Sequence, residues 1–370
     1  MTPTIGRRRT MSAFATVVAG VVVALMAGSG LAMAAYPEPV ERTWIARDVT
    51  FTSGEAMQEV RLHYRTIGTL QRDASGVAKN AVLILHGTGG AGTQFLATYF
   101  ADELFGPGQP LDAMKFFIIL PDNIGHGKSS KPSDGAHMKF PHYGYDDMVA
   151  LQHRLLVEGL QVNHLHLVMG TSMGGMQTWM WGYKHPDFMD GLVPLASAPT
   201  QIAGRNRVWR KMLMDSIRED PAWQNGEYTS QPRLGLSAAI RLLILMGSAP
   251  LHWQTTEAPR RDAADQFAAT EVERRFKTTD ANDMLYQYDS SRDYDPSSHL
   301  EQITAPLLAI NSADDQINPP ELHIVERLIP RVKHGKFVLI PISPQTRGHG
   351  THTHATVWHD QFAAFLDSLK

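Results

Sequence analysis

Apolar positions along the chain fall into two rhythms, one alternating or unbroken and one with the roughly 3.6-residue period of a helix. Thr43 to Phe51 and Glu59 to Tyr64 alternate in part and flank Ser53-Gly54-Glu55, which predicts a β-hairpin at the antiparallel edge of a sheet. Four nearly continuous apolar runs follow, Ala81 to Leu85, Phe116 to Leu120, Leu165 to Met169 and Leu192 to Ala196, each bounded by turn residues. Unbroken runs of that length are the pattern of strands covered on both faces. Asp146 to Leu160 carries Met148, Leu151, Leu155 and Leu156 at helical spacing, and Met176 to Tyr183 forms a second helical stretch between the third and fourth runs. Strands alternating with helices predict an α/β fold around a mostly parallel, doubly wound sheet.

The alternation stops near Pro199 and resumes near Pro306, with strands at Leu307 to Ile310 and Phe337 to Ile340 and a closing helix from Ala355 to Leu369. Between them Val208 to Ile217, Leu236 to Met246 and Ala263 to Phe276 read as helices, and the stretch carries Trp209, Trp223 and Trp253. The expected organisation is therefore a core over residues 35–198 and 296–370, interrupted by a helical lid over 199–295. Met212 and Met246 in that lid are read as packing residues.

Composition narrows the partners. With 43% apolar and 19% charged residues in a chain of 370, a substantial core can form. The 34 basic and 37 acidic residues leave a formal charge of −3, so no field of one sign recruits nucleic acid or an anionic membrane, and a small molecule is the expected partner. A homodimer stays open. The absence of cysteine excludes disulfides, thiolate metal sites and a cysteine nucleophile.

The N-terminus suggests the compartment. Arg7 to Arg9, an apolar stretch from Ala13 to Ala27, and Ala32-Met33-Ala34 follow the order of a secretory signal peptide over residues 1–34, cleaved after Ala34. The apolar stretch is shorter than the ~20 residues of a membrane span. A periplasmic or secreted protein with no stable membrane anchoring is expected, by the general or the twin-arginine export route.

The chemistry is carried by Gly170-Thr171-Ser172-Met173-Gly174, placed between an apolar strand and a helix. In a G-x-S-x-G turn of this kind the serine stands on a sharp strand-to-helix bend, and glycine at 170 and 174 lets the backbone pack closely enough to form it. Ser172 is thus the candidate nucleophile. Its tetrahedral intermediate needs two amide donors, assigned to Met173, just after the serine, and to Thr88 in His86-Gly87-Thr88-Gly89-Gly90, just after the strand Ala81 to Leu85. His86 is expected to hold that loop. A phosphate-cradling role does not fit, because neither G-x-x-x-x-G-K-[ST] nor G-x-G-x-x-G is present there.

An acid and a base should follow in chain order. Asn311 to Pro320, after the strand Leu307 to Ile310, offers Asp314 and Asp315. Asp315 is preferred for standing four residues before Pro319, and the other aspartate is expected to be a solvated carboxylate or a cap for a helix starting near Pro320. Gly348-His349-Gly350-Thr351-His352-Thr353-His354 offers His349 first and His352 second as base. No carboxylate or cysteine stands at ligand spacing in that cluster, so neither a metal nor any other cofactor is expected. His349 would take the Ser172 proton during attack on an ester or thioester carbonyl, with Asp315 fixing its tautomer.

Over most of the chain after the signal, the sequence resembles the homoserine O-acetyltransferase family of α/β-hydrolases. The resemblance lies in Gly170-Thr171-Ser172-Met173-Gly174-Gly175-Met176-Gln177 and in Asp220-Pro221-Ala222-Trp223-Gln224-Asn225-Gly226-Glu227-Tyr228. It implies the α/β-hydrolase fold and acyl-transfer chemistry. Val208-Trp209-Arg210 falls where family members carry an arginine near the substrate pocket, which makes Arg210 a substrate-binding candidate, with an exposed lid salt bridge as its other reading. Three features depart from the family: the export signal, Thr171 in place of the glycine usual before the serine, and Asp122-Asn123-Ile124-Gly125-His126-Gly127-Lys128-Ser129-Ser130, which is more similar to the loop of general hydrolases. The expectation is an exported serine hydrolase, a carboxylic ester hydrolase on a transferase-like scaffold, with an O-acyltransferase of the homoserine O-acetyltransferase type as the alternative.

Overall fold

The computed structural model describes residues Tyr36 to Leu369, so the signal expected over residues 1–34 lies outside the described residues. Its centre is an eight-stranded sheet in the order β1-β2-β4-β3-β5-β6-β7-β8. The strands are β1 (Val40–Thr50), β2 (Ala56–Ile67), β3 (Ala81–Leu85), β4 (Phe117–Pro121), β5 (Leu167–Thr171), β6 (Leu192–Leu195), β7 (Leu307–Ser312) and β8 (Gly335–Ile340). β1 and β2 form the expected antiparallel hairpin, with Val40 opposite Thr66 and Thr50 opposite Ala56. β2 also runs antiparallel to β4, and every later pairing is parallel.

The unbroken apolar runs face two ways. On β3, Leu83 and Leu85 enter a core layer with Trp179, Trp181 and Leu192, whereas Val82 and Ile84 enter the opposite layer with Phe100, Trp358 and Phe362. β5 divides likewise, Val168 to the first layer and Leu167 and Met169 to the second. Helices α2 (Tyr145–Arg154) and α3 (Met173–Lys184) cover one face, and α1 (Thr98–Leu104) and α10 (His359–Asp367) the other. The helix expected to continue to Leu160 widens after Arg154 into a π turn over Leu155–Gly159, where the Leu160 amide donates to the Leu155 carbonyl. The closing helix begins at His359 rather than Ala355, after a tight turn over Ala355–Val357.

Between β6 and β7 the chain forms α4 (Gly204–Arg218), α5 (Arg233–Met246), a single turn α6 (Pro250–His252), α7 (Arg261–Phe276) and α8 (Ala281–Asp289). This insertion has its own apolar cluster, in which Trp209, Leu213, Ile217, Trp223, Leu236 and Leu285 pack together. A short helix α9 (Ile324–Leu328) lies between β7 and β8. The loops leaving the carboxyl ends of β3, β5, β7 and β8 meet at one edge of the sheet, where ligands bind in open parallel sheets.

Candidate active site

Ser172 joins β5 to α3 with φ 55° and ψ −112°, a backbone conformation that side-chain-bearing residues rarely adopt. The flanking glycines make it attainable. A Cβ on Gly170 would lie 2.2 Å from the Gly174 carbonyl oxygen, and one on Gly174 would lie 2.0 Å from that of Leu85. Any side chain at either position would push the helix off the sheet. The Ser172 amide donates to the Leu195 carbonyl at 2.9 Å, which ties the bend to β6.

The loops after β7 and β8 bring the acid and base to this serine. His349 Nε2 lies 2.8 Å from Ser172 Oγ, and His349 Nδ1 lies 2.8 Å from Asp315 Oδ2. A carboxylate can only accept, so it fixes the proton on Nδ1 and leaves the Nε2 lone pair facing the serine hydroxyl. Asp315 is fully buried and accepts from the Ile317 amide at 2.7 Å, the Asn318 amide at 3.1 Å and Asn318 Nδ2 at 3.1 Å. Burial alone would raise its pKa, but the adjacent His349 and these donors outweigh it and hold the carboxyl below the usual carboxylate range.

The neighbouring alternatives are placed elsewhere. Asp314 is buried rather than solvated, and it caps no helix. It accepts from Ser312 Oγ and from the Gly348 amide at 3.1 Å, fastening the residue just before His349 to the end of β7. The expectation for the second aspartate is corrected accordingly: a peptide amide arriving from the β8 loop makes a buried carboxylate tenable there. His352 packs edge-on to His349, with ring centroids 5.1 Å apart, and burial followed by the proximity of His349 drives its pKa well below the ordinary histidine value. His354 stacks on Tyr99. No group of three or more metal-binding side chains occurs among the described residues.

On the other side of Ser172 stands the loop after β3. A Cβ on Gly87 would lie 3.4 Å from Ser172 Cβ, so this loop borders the nucleophile. The Thr88 amide has no acceptor among the described residues, and the Met173 amide is the first of helix α3, where no intrahelical acceptor exists. Both N–H groups are thus available to an oxyanion. His86, fully buried, holds the loop as the sequence suggested: Nδ1 donates to the Gly87 carbonyl at 2.8 Å and Nε2 accepts from the Asn123 amide at 3.0 Å. Gln94 was not singled out by sequence reasoning. Its Nε2 donates to Thr171 Oγ1 at 2.9 Å while its Oε1 faces the Gly87 amide at 3.4 Å, so it spans the oxyanion loop and the serine bend. Asn318 was also missed. It donates to the Ala196 carbonyl at 2.9 Å as well as to Asp315. Neither role has a motif, because each needs a partner on another strand, Thr171 at the end of β5 for Gln94 and Ala196 after β6 for Asn318.

A cavity of about 560 Å³ opens beside Ser172, with Arg210 in its wall. Arg210 is 3% exposed. It is not the exposed lid salt bridge of the alternative reading: Nε donates to Asn206 Oδ1 at 2.9 Å, Nη1 to Ser291 Oγ at 3.2 Å, and the guanidinium lies 5.1 and 5.3 Å from the Trp209 and Tyr288 ring centroids. No carboxylate of the described residues pairs with it, which leaves a buried cation able to receive an anionic group. With a strained serine, an oriented imidazole and two amides without protein acceptors on the loops beside them, the site has the groups needed to form and resolve an acyl intermediate.

Comparison with known proteins places the chain in a family. Residues 80–340 match the alpha/beta hydrolase fold family. A probable acyltransferase of Methanothermobacter thermautotrophicus is 32% identical over 286 residues, covering 76% of this chain and 86% of its own. A homoserine O-acetyltransferase of Pelobacter propionicus is 31% identical over 313 residues, covering 75% of this chain and 82% of its own. Among solved structures, the acetyl esterase MekB superposes with a TM-score of 0.78 at 25% identity, over 89% of this chain and 97% of that one. A parallel sheet with a serine at its sharpest bend, and relatives of these kinds, lead to one assignment: the chain belongs to the α/β-hydrolase fold family, as an enzyme of the esterase or acyltransferase kind resembling the homoserine O-acetyltransferases.

Proposed function

We propose that the protein is an exported serine hydrolase that cleaves carboxylic esters through an acyl-enzyme on Ser172. The observation carrying this reading is the continuous hydrogen-bonded chain from Ser172 Oγ through His349 to the buried Asp315, at 2.8 Å in each link. In the first half-reaction Ser172 Oγ attacks the ester carbonyl as His349 Nε2 removes its proton, and the amides of Thr88 and Met173 receive the oxyanion. The protonated His349 then gives its proton to the departing alcohol. In the second half-reaction His349 deprotonates a water that attacks the acyl-serine, which releases the free acid and restores Ser172. No cofactor takes part. Arg210 is assigned to an anionic group of the substrate.

Acyl transfer is the second reading. The observation favouring it is the set of relatives named homoserine O-acetyltransferase, with which an acceptor alcohol would replace water in the second half-reaction. Water is preferred because residues 1–34 have the charge and hydropathy order of an export signal, which would carry the protein away from coenzyme A thioesters. The test uses protein recovered from the periplasm or medium. Its N-terminus should lie near Ala35, a fluorophosphonate should label Ser172, and an aryl ester should be cleaved without coenzyme A. Ser172→Ala should lower turnover by ~10⁶. An uncleaved cytoplasmic protein, inert to esters but acetylating homoserine from acetyl coenzyme A, would replace this reading with the second.

A further inference from the structure

We infer that the cavity beside Ser172 is an acyl-chain groove and that the preferred substrates carry an extended apolar acyl chain, well beyond acetyl. This inference rests on the ester-cleaving reading above and names its substrate class. The cavity is lined by Ser172, Ile202, Ile317 and Val325 and by Phe337 and Leu339 of the edge strand β8. At about 560 Å³ it falls in the range of sites for whole small molecules, far larger than an acetyl group requires. Two apolar side chains of its wall reach solvent: Leu322 is 52% exposed and Leu339 36%. Apart from Arg210, the charged lining residues Arg205, Glu321, Glu326 and Arg327 are exposed at the rim. Arg210 aside, an aliphatic chain can therefore run from the serine toward solvent past uncharged or rim-exposed side chains.

The chemistry of proton transfer decides which half of the ester lies there. The leaving oxygen must meet His349 Nε2 to take its proton, so the alcohol half rests against His349. His349 does not line this cavity, whereas Ser172 does. The half that enters from the serine, on the side without the histidine, is the acyl half. Each buried methylene adds about fourfold in binding at the usual transfer energy. Chain length should accordingly raise kcat/KM until the groove is filled.

The experiment compares p-nitrophenyl esters from acetyl to decanoyl, which vary the acyl half alone, with alkyl acetates, which vary the alcohol half alone. The expected result is a rise of at least tenfold in kcat/KM from acetyl to octanoyl and a nearly flat alkyl acetate series. Ile202→Trp, in the groove wall, and Leu322→Arg, where that wall reaches solvent, should each reduce the octanoyl-to-acetyl ratio at least tenfold. Fluorophosphonate labelling of Ser172 at the wild-type rate verifies that each variant is folded. A flat or falling acyl series, a ratio unmoved in both variants, or a dependence confined to the alcohol series overturns the groove and leaves the esterase reading standing. Should no ester be cleaved and Ser172 stay unlabelled, the esterase reading fails instead. The groove is then judged by calorimetric titration of decanoate into Ser172→Ala protein. Binding lost in the added Ile202→Trp variant supports it, and no binding overturns it.

Discussion

Asp314 and Asp315 differ by one position and face different partners, a distinction on which much of the site depends. Asp315 meets the imidazole, while Asp314 meets the Gly348 amide that delivers the imidazole. Asp315→Asn should lower kcat by about 10⁴, because an amide no longer dictates the tautomer that leaves Nε2 unprotonated. Asp314→Ala removes a buried acceptor and leaves a peptide N–H unpaired, a cost of about 1–3 kcal/mol. It should cut kcat some ten- to hundredfold by loosening His349, with labelling of Ser172 slowed but still complete. Steady-state kinetics and fluorophosphonate labelling on both variants provide the measurement. Equal losses would mean that the two carboxylates share one role. The spacing to Pro319 pointed to Asp315 in the sequence, but nothing local could reveal the strut, since Gly348 reaches Asp314 only after β7 and β8 pair. The same holds for His352, whose burial edge-on to His349 depends on packing rather than spacing.

The strands were legible because a run such as Val82-Leu83-Ile84-Leu85 needs apolar cover on both faces, and only a covered parallel strand supplies it. The serine bend was legible because its glycines cannot be replaced, a Cβ at either one falling 2.0–2.2 Å from neighbouring backbone. Connections between elements were not. Helix α8 is clasped to the loop after β4 by Asp283, whose carboxylate accepts from the Ser133 amide at 2.8 Å and from Ser133 Oγ at 2.7 Å, across 150 residues of sequence. Burial outweighs these donors and raises the Asp283 pKa from 3.8 to about 6. The folded protein therefore holds a proton there that the unfolded chain has released. Through the window between these values the clasp loses stability as pH rises, and above it the ionised carboxylate costs up to about 3 kcal/mol. Asp283→Asn keeps an acceptor for the Ser133 amide without the charge. Its unfolding midpoint in urea should exceed that of the wild type at pH 7.5 and approach it at pH 4.5. A gap independent of pH would exclude titration of Asp283 as the cause.

For the molecule as a whole, the same linkage acts in the opposite direction through histidines that folding buries as neutral rings. His86 and His126 lie beneath the oxyanion loop with centroids 5.0 Å apart, and His352 lies behind the base. Burial lowers the pKa of all three, His126 to about 3 with His86 nearby adding to the effect. A histidine with a depressed folded pKa takes up its proton on unfolding, so its contribution is complete above the unfolded value of 6.5 and is lost as pH falls below it. Between pH 6.5 and 4.5 these rings oppose Asp283, which favours the folded state as acid is added. Burial likewise lowers the pKa of His153, His185 and His354, so on the histidine side the unfolded chain takes up more protons than the folded protein in that window. Removing the opposing carboxyl in Asp283→Asn should steepen the slope by about one proton. Denaturant unfolding at half-unit steps of pH would measure both slopes. His86 holds the loop that borders Ser172 and His352 packs edge-on to His349, so acid unfolding that charges these rings dismantles the active site with them. A stability that stays level from pH 6.5 to 4.5 would show that these rings titrate in the folded protein and that the active-site loops are looser than their burial implies, whereas a slope unaltered in Asp283→Asn would show that Asp283 does not hold the opposing proton.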